Sequence, residues 1–577
     1  MARHDTVIKA EQALHDQVNL LPRRQIITAM AAISVTLLIN FIDQNGIAVT
    51  LPTIAKDLNG QDTISWAGTS SLLANTAFQM LYGRLSDIFG RKTVFSAAIC
   101  LLALADLLCG LSQNPTMFYV FRGVAGIGGG GIANLSMIIV SDIVTLEQRG
   151  QYQGILGSMI GLGNMVGPFL AAALAHQTSW RVFFYMLAPL GGVTCTVTYF
   201  FLPSKPPTAS FKESIGKVDW IGSLLSSIAI IFLLIPVSGG GAYFSWDSPM
   251  VISMLTIGGL SIFLFLAWEW KYAKLPMMPL DIYNNHIVVV MLVQNFLFGA
   301  VYQSYLYYVP LYLQNAHRFS IMRSALITLP LVVLQMVFSI LSGQYITRQK
   351  RYLEVIVFGF SMWTLGSGLA LMLDRHTKPA IIMIPLIFNG IGVGCIFQPT
   401  LVALQAHTPK RRRAVIISNR NLFRSAGGAT GLAVSAAVLQ ARLRATLPSS
   451  YSYLASSTYA LPEAAKNVPA VLDAYMAGSR AVFILQLPLI GLCLLGTVFI
   501  RDRGLEPPGD SLEEPPAVVV ILTNSEIEDS MLVEVVSPFF VACAIDSSMS
   551  DLVIGESYNI YVTSGVGVAE CLKYAMV

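Results

Sequence analysis

The sequence predicts an all-α polytopic membrane protein: two six-helix halves plus two central linker helices, fourteen membrane-crossing helices in all. Three observations carry this expectation. Of the 577 residues, 54% are hydrophobic and only 12% charged, where a soluble domain has about 25% charged residues. Mean hydropathy is +0.64. The apolar stretches are long and unbroken, each near the ~20 residues that a membrane helix needs. That excludes a soluble enzyme, and it excludes a barrel built from ~10-residue alternating strands.

Taken in order, the spans of the first half fall at about 26–50, 65–83, 93–112, 117–140, 151–175 and 182–202. A central pair follows at 219–237 and 250–270, and the second half gives 287–314, 322–346, 353–373, 380–404, 415–439 and 480–500. Residues 1–25 form a short N-terminus, 26–202 the first bundle, 203–285 the linker with its two extra helices, and 286–503 the second bundle. Many spans contain Gly or Pro, which membrane helices tolerate because neighbouring helices shield the backbone. The first span lacks a cleavable-signal pattern and is expected to act as an uncleaved anchor. Residues 504–577 open with Glu506-Pro507-Pro508 and are acidic thereafter, so a disordered tail is expected. The 441–480 connection, with Pro448 and Pro462, is expected as a loop on the outer face.

Lys and Arg sort by side. With the N-terminus cytoplasmic, the inner connections up to Arg503 hold 22 and the outer ones 10, the bias expected of cytoplasmic loops. Both termini are therefore expected inside. The halves also repeat: Asn40-Phe41 matches Asn295-Phe296, Gly83 to Lys92 matches Gly343 to Arg351, and Phe121-Arg122-Gly123 matches Phe388-Asn389-Gly390, at offsets of 255, 260 and 267. Paired repeats of this kind belong to secondary transporters, and no GxxxxGK[ST] phosphate loop argues for an ATP-driven pump. The seven cysteines form no pairing or zinc pattern, so no disulfide framework, metal or cofactor is expected. Asn134-Leu135-Ser136 matches a glycosylation pattern but lies within a span, so glycosylation is not expected.

The string Gly83-Arg84-Leu85-Ser86-Asp87-Ile88-Phe89-Gly90-Arg91-Lys92 joins spans 2 and 3. Its glycines allow a tight turn, and Asp87 is expected to face the positive start of span 13, beside Arg411 to Arg413, as a latch made in one conformation and broken in the other. This string resembles motif A of the major facilitator superfamily, G-x-x-x-D-x-x-G-R-[RK], at Gly83, Asp87, Gly90, Arg91 and Lys92. Arg122-Gly123 and the glycines that follow resemble the family's motif B. Gly163-Asn164-Met165-Val166-Gly167-Pro168 resembles motif C, which the family associates with exporting antiporters; here Ala171-Ala172 stands where a Gly pair is usual, and Ala125 replaces a motif B glutamine. Residues Ile42 to Pro52 and the connection Lys274-Leu275-Pro276-Met277-Met278-Pro279-Leu280 are similar to the 14-span drug:proton antiporter branch. The resemblance covers about 25–503.

The resemblance implies a proton-coupled antiporter that exports small amphipathic drugs or secondary metabolites by alternating access. Asp43, deep in span 1, is expected to carry the proton and Arg122 to modulate it, since a carboxylate that alternates between burial and a nearby cation can load and release a proton. Asp106 is expected near the outer water boundary. The cavity that the resemblance implies, lined by spans 1, 4, 9 and 12, makes Gln294, Asn295, Tyr302, Gln303, Asn389 and Gln398 candidate substrate contacts. Arg420 and Arg424 share a helical face; the favoured expectation is snorkelling or latch contact, the alternative an attraction for anionic substrate. Expected partners are a small-molecule substrate, protons and the lipid bilayer, with no nucleic acid, and the chain is expected to be a monomer in the plasma membrane, the vacuolar membrane being the alternative. Two other functions stay open: a proton-coupled uptake symporter such as an iron-chelate permease, and a membrane sensor that transports nothing.

Overall fold

Hydrocarbon offers a backbone no hydrogen-bond partner, so each apolar stretch must satisfy its own N–H and C=O groups. In the computed structural model, which describes residues 22–60, 63–64, 66–202, 211–239, 245–456, 467–505, 519–521 and 541–543, those stretches are helices. The first half comprises α1 (Arg23–Asp57), α2 (Trp66–Phe89), α3 (Arg91–Gly110), α4 (Pro115–Ile143), α5 (Leu146–Gln177) and α6 (Trp180–Phe201). A short α7 (Phe211–Lys217) leads to the central pair, α8 (Trp220–Gly239) and α9 (Pro249–Lys271). The second half comprises α10 (His286–Asn315), α11 (Ile321–Gln349), α12 (Leu353–Ala370), α13 (Pro379–Gly394), α14 (Phe397–Ala406), α15 (Arg413–Thr446) and α16 (Pro469–Gly496). Side chains set several starts: Asn114, Ser179, Ser248, Asn285 and Ser320 each accept a backbone N–H in the first turn of the helix that follows.

Among the described residues these make fourteen spans, α13 and α14 forming one that breaks at Cys395-Ile396. Among the described residues, thirteen are apolar and long enough to cross a membrane on composition alone. The exception is α2, whose Asn75, Thr76 and Gln79 are polar but buried against neighbouring helices. Several expected boundaries change. Motif A is not a loop: α2 continues to Phe89, and only Gly90, at φ 88°, leaves the helical region, a conformation glycine adopts without penalty. The expected outer loop at 441–480 is largely structured, because α15 runs on to Thr446, a 3₁₀ turn covers Ser449–Ser456 and α16 starts at Pro469. Within that connection, 457–466 lies outside the described residues, as does most of the N-terminus.

The packing repeats as the sequence does. In the first half α1 packs on α5, α2 on α4 and α3 on α6; in the second, α10 packs on α15, α11 on α13 and α12 on α16. The halves join through two crossed pairs, α5 with α11 and α2 with α15. Both pairs meet most closely at the end where the lysines and arginines collect, here the basic end. A Cβ on Gly150 of α5 would stand 2.7 Å from the carbonyl oxygen of Gly343 on α11, so the two helix backbones touch there. One apolar cluster spans both halves, from Ile26, Val94 and Ile143 to Ile346, Ile356 and Ile500. Toward the opposite end the core divides, with one cluster around Phe118, Trp180 and Phe184 in the first half and others around Tyr312 and Phe483 or Leu439 and Tyr475 in the second. The form seen is closed at the basic end.

A second unit, Pro508–Val577, is separate by contact. Its described residues are two three-residue strands, Val519–Ile521 and Val541–Cys543, paired in parallel; of the expected disordered tail, Gly504 and Leu505 are also described, Leu505 being buried against the core, and the rest lies outside the described residues.

The glycine seam is directly testable. Gly343→Ala must push α11 off α5, and overpacking of this kind costs about 1–3 kcal/mol. A lowered unfolding temperature of the purified protein in detergent is expected; an unchanged one contradicts the seam.

Candidate functional site

Arg122 sits in the third turn of α4 with its guanidinium fully enclosed, at 0% exposure. Its Nη1 lies 2.6 Å from Oδ1 of Asp43 on α1 and 3.9 Å from Oδ1 of Asp106 on α3. Nη2 donates to Ser71 Oγ at 3.5 Å, and the Phe184 ring faces the guanidinium at 5.9 Å. The expected Asp43–Arg122 pair is therefore present. Asp106 is not where the sequence reading puts it: at 1% exposure it belongs to the same buried set, 3.9 Å from the Arg122 guanidinium. A clue was available, since an ionisable residue within an apolar span is by default functional. Two carboxylates thus share one guanidinium. Asp106 Oδ1 and Arg122 Nε have no hydrogen-bond partner among the described residues.

At the basic end the motif A residues form an ion-pair chain within the first half. Asp87 Oδ1 pairs with Arg91 at 2.7 Å, and Arg91 Nε reaches Asp142 Oδ2 at 2.7 Å. The second Asp87 oxygen faces Arg84 at 3.7 Å and accepts no hydrogen bond. In this form Arg91 and Arg84 of its own segment hold Asp87, and among the described residues it makes no hydrogen bond to the start of α15. Lys92 is turned away, its ammonium over the Tyr199 ring at 4.8 Å. The buried contacts between α2 or α4 and α15 are made by neutral groups. Gly83 abuts Ser418 of α15, Asn134 donates to Ser418 Oγ at 2.7 Å, and Asn421 donates to Asn134 Oδ1 at 2.9 Å. Beside them Arg149 donates to Gln405 Oε1 at 3.2 Å, and Glu147 pairs with Lys350 at 2.5 Å.

Midway along the bundle a polar thread crosses between halves. Asn45 on α1 donates to Asn164 Oδ1 at 2.8 Å, Asn164 donates to Tyr302 Oη at 3.0 Å, and Tyr302 donates to Gln335 Oε1 at 3.2 Å. The motif C residues position it: Gly163 and Gly167 let α5 lie against Phe41, Ile42 and Gly46 of α1, and Pro168 falls inside α5. Tyr302 is edge-on to Phe397 at 4.6 Å and to Trp363 at 6.5 Å. Arg424 lies over the other neighbour of that ring set, 5.6 Å from the Phe397 centroid. Arg420, at 1% exposure, donates to the Phe397 carbonyl and to Asn421 Oδ1. Snorkelling is thus overturned for Arg420, whose head group points inward to α14. Neither arginine has a carboxylate within ion-pair distance among the described residues, and the Nε of each is unpartnered.

The cavity candidates scatter. Tyr302 lies at the centre, and Gln398 is buried beside Gly157 of the first half with both amide atoms unpartnered. Gln303 is half-buried next to Gly428. Asn295 donates to Met291 of its own helix, Gln294 donates to the Cys493 carbonyl at 2.7 Å and so faces α16, and Asn389 is pressed against Gly366 of α12. Among these candidates, Asn295, Gln294 and Asn389 turn to their own or a neighbouring helix of the second half, while Gln398 follows Phe397, the ring that meets Tyr302.

Removing one member of the buried charge set discriminates its roles. Arg122→Leu strands two carboxylates and is expected to lose about 3–5 kcal/mol, read as a lowered unfolding temperature, whereas Asp106→Asn leaves a matched pair and is expected to cost far less. Equal losses would dismiss the shared-cation arrangement.

Comparison with known proteins gives the family. The model of the Major Facilitator Superfamily matches residues 33–432. The chain is 50% identical over 507 residues to Citrate exporter 1 of Yarrowia lipolytica, covering 86% of this chain and 75% of that one. It is 42% identical over 515 residues to the MFS-type transporter clz4 of Cochliobolus lunatus, covering 88% and 92%. Among solved structures, the proton:xylose symporter XylE bound to 6-bromo-6-deoxy-D-glucose superposes with a TM-score of 0.56 at 14% identity, over 84% of this chain and 98% of that one, a likeness of fold. Helices, repeats, motifs and matches agree: this chain is a multi-pass membrane transporter, not an enzyme, and it belongs to the major facilitator superfamily.

Proposed function

We propose that the chain is a proton-coupled exporter of small organic anions that carry carboxylates, with both termini cytoplasmic and the monomer as the working unit. The observation that carries this reading is the uneven charge of two buried sets, one in each half. Arg122 is outnumbered by Asp43 and Asp106, while Arg420 and Arg424 have no carboxylate beside them among the described residues. In a low-dielectric interior one cation neutralises one carboxylate, and the second is most cheaply held with a proton. The two arginines leave room for negative charge that substrate brings, with Tyr302 and Gln398 as neutral hydrogen-bonding groups nearby. The similarity to Citrate exporter 1 supports the same substrate class.

The proposed cycle follows from these placements. Substrate binds between the halves while the basic end is open, and closing that end with its asparagine and glycine contacts yields the form seen here. After substrate leaves, a proton from outside neutralises the Asp43–Arg122–Asp106 set and permits the return. An anion leaving and a proton entering both move positive charge inward, so a plasma-membrane potential, worth about 2.3 kcal/mol per charge per 100 mV, favours both. Coupling is conformational: the proton set and the arginines lie on different halves, and protonation need only differ between the two states.

A second reading, export of an uncharged amphipathic metabolite, is favoured by the Tyr302–Phe397–Trp363 rings. Efflux of radiolabelled citrate from liposomes holding the purified carrier separates the two. Anion export predicts citrate efflux that rises with external acidity, falls at least tenfold in Arg424→Ala and loses its pH dependence in Asp43→Asn. Efflux unaffected by Arg424→Ala would remove the anion reading, and efflux indifferent to the pH gradient in the unmodified carrier would remove proton coupling. Accumulation in place of efflux would mark an uptake symporter, and no movement of any probe a sensor.

A further inference from the structure

The connection Lys274–Leu280 takes no part in the buried charge set or around Tyr302, yet it is firmly embedded at the basic end. Leu275, Pro276, Met277 and Pro279 are all buried. Leu275 packs with Ile88 of α2 and Val218. Met277 packs with Met80 of α2 and Phe265 of α9, with Leu422 of α15 against the same cluster. The carboxylate of Glu269, itself buried near the end of α9, accepts the backbone N–H groups of Met277 at 3.1 Å and Met278 at 3.2 Å, which holds this stretch of backbone in one shape.

The carbonyls of that backbone are divided between the halves. Arg84 on α2 donates its Nε–H to the carbonyl of Pro276 at 2.8 Å. Asn419 on α15 donates to the carbonyl of Met277, the next residue, at 3.1 Å. Arg84 and Asn419 directly follow Gly83 and Ser418, the two residues through which α2 and α15 touch. The connection therefore lies over the seam between the halves at the point where they make contact.

We propose that Leu275–Pro279 is a clasp on the gate at the basic end, holding α2 to α15 while that end is closed and releasing one of them when it opens. Neighbouring Cα atoms are about 3.8 Å apart at a fixed spacing, so two consecutive carbonyls cannot follow two helices that separate. Opening must break one of the two hydrogen bonds. Glu269 is the positioning residue, since it presents the carbonyls by holding the adjoining N–H groups. The clasp depends on alternating access alone and not on the substrate or on proton coupling.

Nitroxide labels at Thr93→Cys on α3 and Arg348→Cys on α11, both exposed at the basic end in opposite halves, report the gate by electron–electron distance measurement in liposomes, with the native cysteines replaced by alanine. Loss of one net hydrogen bond corresponds to about a fivefold change in an equilibrium. Asn419→Leu is expected to raise the long-to-short distance ratio about fivefold, Glu269→Gln to raise it in the same direction, and Lys274→Ala, an exposed neighbour, to leave it unchanged. Should Asn419→Leu fail to fold, Glu269→Gln decides. A ratio unchanged in the variants that fold, even with a lowered unfolding temperature, would make the connection ordinary packing and overturn the clasp.

Discussion

An ionised side chain in hydrocarbon costs at least ~2.5 kcal/mol unless a counter-charge or water accompanies it, and the two halves of this bundle meet that constraint in different ways. The first half encloses Arg122 between two carboxylates from different helices. The second encloses Arg420 with a backbone carbonyl and an amide oxygen as its acceptors and sets Arg424 over an aromatic ring. The set at Arg122 is thus short of a positive charge and the pair at Arg420 and Arg424 short of a negative one.

The closed gate is built from groups that separate cheaply. At the basic end the ion pairs of Asp87, Arg91 and Asp142 stay within one half, while glycine contacts and asparagine hydrogen bonds join one half to the other. A neutral hydrogen bond contributes about 1 kcal/mol net, and breaking a buried ion pair costs several times more. Strong interactions therefore hold each half rigid, and weak ones let the halves part. Asp87 and Arg91 of motif A pair within the first half, while Arg84 of the same string reaches the linker carbonyl of Pro276.

Much of this was legible in order of residues. The helices could be read because membrane spans are set by length and apolarity, which need no partner to be known. Asp43 and Arg122 were legible because charge in a span is rare. Asp106 was misplaced because position along a helix does not reveal which side chain of a neighbouring helix it meets, here Arg122 of α4. Asn134, Asn164 and Asn421 were overlooked as gate and thread residues because an amide in a helix reads the same whether it bonds its own backbone, as Asn295 does, or another half. The length of α2 was misread for a related reason: its polar residues look like a loop until the helix that buries them is present.

By itself the sequence determined the number and order of the spans, the twofold repeat, the basic end and the family, since these follow from local composition and from strings of neighbouring residues. Only the tertiary structure decided which charges share a site, which end is closed, where Arg420 points and how a linker comes to lie across the seam. Each of these depends on helix rotation and depth, which are chosen by packing between segments that lie hundreds of residues apart.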